Sequence, residues 1–157
     1  MTEYQTLEAI VLETAEMVRP PERLTVSQAA EKYRMLNNPG SYVGVWKNSK
    51  TPYLVEPMDE LTNHEHEAVI FVGPAQTGKT DMVLNWLTHT ALCDPADTMI
   101  IEKSQATARD FAKRRIERLF RHTPAVGDKV IPGRQNQNLY DTRFKSGWLL
   151  TLSWPTI

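Results

Sequence analysis

Gly73, four residues, then Gly78-Lys79-Thr80: within "FVGPAQTGKTDMV" (71–83) this spacing constrains the fold more than any other feature of the 157-residue chain. Glycines at these positions let the backbone turn tightly and aim successive N–H groups inward, an arrangement that cradles phosphate oxygens. A lysine after the second glycine reaches the β- and γ-phosphates of a nucleotide as a point charge. The next hydroxyl ligates the magnesium ion that bridges them. The spacing therefore predicts that Gly73, Pro74, Ala75, Gln76, Thr77, Gly78, Lys79 and Thr80 bind the phosphates of a nucleotide, with Thr80 contacting Mg2+. A helix starting at the end of the loop adds the positive end of its dipole to the same site.

The flanks have the order such a loop needs. Residues 68–72, "AVIFV", form a short apolar, β-branched run that predicts a buried parallel strand. "DMVLNWLTHTALC" (81–93) predicts a helix with Val83, Trp86, Leu87 and Ala91 on one face, stopped by Asp94-Pro95. A glycine turn in a βα unit without a ligand is the alternative.

Upstream, Leu7, Ile10, Val11 and Val18 fall on one side of an amphipathic helix ended by Arg19-Pro20-Pro21. "TVSQAAEKYRML" (25–36) opens with Thr25 and Gln28 at capping-box spacing and predicts a second helix, broken at "NNPG". An irregular stretch leads to a short helix near Met58 to Leu61. Downstream, "TMIIE" (98–102) predicts a second buried strand. Ser104 caps a long helix in which Ala108, Phe111, Ala112, Ile116, Leu119 and Phe120 follow helical spacing. "LYDTRFKSGWLLTLSW" (139–154) predicts a hairpin turning at Lys145-Ser146-Gly147. The order implies an α/β fold: a partial P-loop NTPase-type core, its mostly parallel sheet flanked by helices, behind a helical N-terminal segment. The division falls at residues 1–40 and 41–157.

Net charge is −1, so the global balance names no partner, but its distribution is uneven. Six glutamates in residues 1–31 face only Arg19 and Arg23. Residues 103–121 set Lys103, Arg109, Lys113, Arg114, Arg115, Arg118 and Arg121 against Asp110 and Glu117. The second segment points to an acidic partner such as nucleic acid, or simply to a solvated basic face. Cys93 is the single cysteine, excluding a disulfide framework, and reads as a small buried thiol at a helix end. His64, Glu65, His66 and Glu67 alternate without the HExxH spacing, so a polar turn is the better reading than a metal site. No apolar run approaches membrane-spanning length and the N-terminus lacks a basic region, which predicts a soluble, cytoplasmic protein without a membrane partner.

Hydrolysis by this class of loop needs an acid at the end of an apolar strand to organise magnesium and water. After the loop, the apolar run ending in acid is "MIIE", with Glu102, and it carries no acidic pair. The last run, "WLLTLSWPTI", holds no acid. No catalytic residue is assigned, and the chain alone is expected to be inactive.

Four colinear stretches carry a family resemblance: "SYVGVWKNSKTPYLVEPMDEL", "VGPAQTGKT", "EKSQATARDFAKRRIERLF" and "KSGWLLTLSWPT". From about Ser27 onward the chain resembles the large terminase subunit of tailed bacteriophages, of the lambda-like type. The resemblance implies the N-terminal part of an ATP-driven packaging motor acting on double-stranded DNA at the portal of the procapsid. It also implies a bacterial host cell, a parent protein that continues into a metal-dependent endonuclease cutting concatemeric DNA, and a homo-oligomer as one possible state. It casts the loop residues in the Walker A role and Tyr42 as the ring placed against adenine. Core packing is the alternative for Tyr42, as for Trp46 and Tyr53. Many terminases carry a basic residue inside the loop; Pro74, Ala75, Gln76 and Thr77 supply none. The N-terminal region of such subunits docks the small terminase subunit, a role open to the Leu7–Val18 stripe, which otherwise packs on the chain's own core. "LTVSQAAEKYRM" also has the look of a first helix of a helix-turn-helix, without a second. The alternative to the motor is a truncated, non-hydrolysing nucleotide- or protein-binding module from a prophage.

Overall fold

The computed structural model describes residues 6–8, 11, 14, 20–38 and 40–156. Of the amphipathic stripe, Ile10 and Val18 lie outside the described residues, while Leu7 and Val11 are exposed. In chain order the elements are α1 (Val26–Tyr33), β1 (Met35–Asn37), β2 (Val43–Val45), α2 (Val55–Glu60), α3 (Lys79–Leu92) and β3 (Thr98–Ile101). There follow α4 (Gln105–Phe111), a π-wound stretch (Ala112–Ile116), α5 (Glu117–His122), α6 (Pro124–Gly127), β4 (Asp141–Arg143) and β5 (Leu149–Ser153).

Local chemistry explains most of these boundaries. The Thr25 hydroxyl accepts the Gln28 N–H while the Gln28 side chain accepts the Thr25 N–H, so the first donors of α1 are satisfied. Helix α1 ends at Tyr33, three residues earlier than the capping pattern and apolar spacing predict. Met35–Asn37 instead pairs antiparallel with Val43–Val45, Leu36 opposite Gly44. Ser104 and Thr107 form the reciprocal cap of α4. Gly147 supplies the positive φ (94°) that the turn between β4 and β5 requires.

The sheet is mixed, in the order β3-β5-β4. Strand β3 runs parallel to β5, with Ile100 opposite Leu152, and β4 runs antiparallel to it, with Thr142 opposite Leu150. Three expectations change here. The sheet is not mostly parallel, because among the described residues one of its two pairings is antiparallel. Residues 68–72 belong to no strand, and Ile70 and Val72 are 86% and 89% exposed. A segment becomes a strand only through ladder partners, and this one pairs with no described strand. Strand β3 is likewise half-exposed rather than buried, Met99 and Ile101 facing solvent.

Helix α3 is the central element and has two apolar contacts. Leu84, Leu87 and Ala91 join Ala112, Ile116, Leu119, Phe144, Trp148, Leu150 and Leu152 in one cluster. Met82 joins Val26, Ala30, Trp46, Leu54 and Met58 in a second, with Trp86 and Phe71 packed against it. The predicted single face of α3 is thus divided, Leu87 and Ala91 serving one cluster and Trp86 the other. Phe144 stacks on Trp148 with centroids 4.0 Å apart. Cys93, at the end of α3, is only partly buried, and burial pushes its thiol up.

Candidate nucleotide-binding site

Residues 73–80 lead from the unpaired 68–72 segment into α3 and form a tight, partly exposed loop. Gln76 and Gly78 both have positive φ, 62° and 80°. Gly78 caps α3, which starts at Lys79. A Cβ at Gly78 would lie 2.8 Å from Leu54 Cδ1, so the position is closed to side chains by both conformation and contact. Thr77 Oγ1 donates to Pro74 O at 2.9 Å, and Lys79 Nζ donates to Gly73 O at 2.8 Å and also to Pro74 O. Lys79 is therefore half-buried across its own loop rather than mostly solvent-facing. Its ammonium finds in two backbone carbonyls the oxygen ligands that a charged donor needs.

Thr80 lies in the first turn of α3, beside Asp81. Asp81 Oδ1 is 3.4 Å from Arg34 Nη2. Arg34 is 5% exposed, donates a second bond from Nη1 to Met35 O, and leaves its Nε without a partner. Burial pulls its pKa down to about 10 and the nearby Arg115 charge adds to this, while Asp81 opposes both. The guanidinium stays cationic at neutral pH. Sequence reasoning missed this pair; the signal was an arginine directly after an amphipathic helix, too common a pattern to single out.

Among the aromatic candidates, Trp46 is core, with Nε1 donating to Asn48 Oδ1 at 2.8 Å. Tyr42 is half-buried on the β1–β2 hairpin, donates its hydroxyl to Val45 O, and carries Lys50 Nζ 3.3 Å above its ring. The aromatic hydroxyl that reaches the loop is that of Tyr53, 3.4 Å from Thr77 O. Tyr53 is exposed, so the core-packing alternative does not describe it. Glu102 follows β3 directly and donates its N–H to Ser153 O at 2.8 Å. His66 Nε2 lies 3.1 Å from Glu60 Oε2, and no group of three or more metal-ligating side chains occurs among the described residues. The described helices include none long and apolar enough to cross a membrane.

With the loop and its lysine in view, residues 40–157 match the family described as phage terminase large subunit gpA, ATPase domain. The chain belongs to that family. Comparison with curated proteins and with solved structures gave no match. The terminase match covers all of the candidate loop, the basic helix and both strands of the hairpin, and it begins just after β1. An ATPase domain implies nucleotide binding, and a terminase large subunit acts on DNA.

Proposed function

We propose that this chain is the N-terminal, nucleotide-binding part of a phage DNA-packaging motor, with residues 73–80 as its Walker A loop. The observation that carries the reading is the loop's own geometry: a left-handed Gly78 at the start of α3, with Lys79 holding carbonyl oxygens of Gly73 and Pro74. A side chain that binds oxygen ligands across its loop has the reach and donors to exchange them for phosphate oxygens. The N-terminus of α3 adds its dipole. Bound Mg2+ would neutralise charge on the β- and γ-phosphates, with Thr80 as the protein group that holds it. Tyr42 is the residue assigned to adenine, which requires Lys50 to leave its ring face. Residues 41–157 form the ATPase part and residues 1–40 the segment that docks the small terminase subunit. Double-stranded DNA and the portal of the procapsid are partners of the parent protein, whose later part cuts concatemeric DNA.

A second reading has one observation in its favour. Glu102, the acid after β3, is followed by Lys103 rather than by another carboxylate. A chain with the phosphate cradle but no acidic pair binds nucleotide without turning it over. That is the behaviour of a non-hydrolysing module.

Both readings share one decisive test: calorimetric titration of ATP with Mg2+ into the chain and into Lys79→Ala, with ATPase assays alongside. Binding by the unmutated chain, lost in a mutant whose circular dichroism is unchanged, supports the loop assignment. Equal affinity in both overturns it. Multiple-turnover hydrolysis by the unmutated chain would exclude the module and make Glu102→Gln the next variant.

A further inference from the structure

Seven cations crowd residues 103–121, and arginines on an exposed helix are ordinarily just solvated. Three of these are placed differently. Arg114, Arg115 and Arg118 line one wall of a narrow cleft whose other wall is Arg34, Asn37 and Asn38 at β1. The buried Arg34 thus lines the same cleft as three exposed arginines.

We propose that this cleft is a phosphate site for the backbone of duplex DNA. The first support is an excess of cations over carboxylates. Arg34 is buried with an unpartnered Nε, and Asp81, at 3.4 Å, is its carboxylate. Asp110 is 4.0 Å from Arg114 Nε in an exposed pair, which contributes little. The facing wall offers neutral amides in place of acids. A buried cation held by one carboxylate at 3.4 Å and set beside further cations is under-compensated, and an oxyanion at the cleft mouth relieves it. The second support is the backbone. The helix is π-wound over Ala112–Ile116, the turn that bears Arg114 and Arg115. This winding is rare and concentrates at functional sites. The third is size. The space between the walls is about 10 Å³. A phosphate therefore sits at the mouth against the exposed guanidinium groups, and Arg34 acts through its charge. Contacts of this kind hold a duplex without reading its sequence.

The choice of DNA as the phosphate source rests on the packaging-motor reading; the cleft's anion chemistry does not. Fluorescence anisotropy of a short labelled duplex, without nucleotide, separates the two. The cleft variant is Arg114→Ala with Arg115→Ala and Arg118→Ala. Its control removes the same charge from the same basic segment outside the cleft: Arg109→Ala with Lys113→Ala and Arg121→Ala. The expected result is an affinity loss of at least about ten-fold for the cleft variant, with the salt slope reduced by about 2 to 3, and a much smaller loss for the control. Equal losses in both, or none in either, overturn the site. Arg34, too buried to remove safely, is followed by the NMR signal of its Nε–H, which should shift with duplex in the unmutated chain and not in the cleft variant. Saturation of that shift by millimolar inorganic phosphate, without a response to duplex, would assign the cleft to free phosphate and overturn the DNA source. Failure of the unmutated chain to bind duplex, alongside intact Lys79-dependent ATP binding, would refute the cleft and leave the nucleotide loop standing.

Discussion

Gly78 carries two constraints at one atom. Its φ of 80° belongs to the left-handed region, and a methyl group there would meet Leu54 Cδ1 at 2.8 Å. Gly78→Ala should therefore destabilise the chain by about 1–3 kcal/mol, read as a lower urea midpoint with an unchanged slope. An unaltered midpoint would mean that the loop relaxes freely and is not held in this shape. Tyr42 poses a question of ligand rather than of fold. If its ring stacks on adenine, Tyr42→Ala weakens ATP more than inorganic triphosphate, because only ATP brings a base. Equal losses for the two ligands would assign the ring to its Lys50 contact and its hairpin alone.

Between elements, the ion pair of Arg34 and Asp81 joins the C-cap of α1 to the first turn of α3. Asp81 keeps 25% side-chain exposure while Arg34 keeps 6%, so loss of the carboxylate leaves a charge that water scarcely reaches. Asp81→Ala should lower stability by about 3 kcal/mol, the lower end expected for breaking a buried pair because Asp81 is partly solvated. Adding Arg34→Met should recover much of that loss, since it removes the stranded cation and fills its space. Denaturant unfolding of the two single variants and the double variant measures the coupling. Strict additivity would show that the pair does not bind the two helices together.

Across the molecule, the sheet leaves a free side. Strand β5 lies in the middle, with Trp148 buried against Phe144, so this strand presents no open edge. The outer edge of β4 meets isolated bridges at Gln137 and Val130, whereas β3 pairs only with β5 among the described residues. Met99 and Ile101 on β3, with Ile70 and Val72 in the unpaired 68–72 segment, are exposed apolar side chains beside unpaired backbone. Such surfaces template association. The chain should self-associate with rising concentration in sedimentation velocity, and Ile70→Lys with Ile101→Lys should shift it toward monomer. A chain that stays monomeric at high concentration would sink this expectation.

What the sequence determined by itself was local. The caps at Thr25 and Ser104, the left-handed turn at Gly147 and the buried positions Ala108, Ala112, Ile116 and Leu119 all follow from residues within a few positions of one another. Helical hydrogen bonds and turn sterics act over that range, so a one-dimensional pattern carries them. The glycine-lysine spacing was legible for the same reason: a phosphate loop is a local backbone shape. Tertiary structure decided the rest. Residues 68–72 have the composition of a buried strand, yet a strand exists only where another chain segment lies beside it. Residues 35–37 fit a helical pattern, but pairing with Val43–Val45 turned them into β1. The isolation of Arg34 from water depends on α1, α3 and the π-wound helix meeting at one point. Charge burial is a property of that meeting, and no window along the chain contains it.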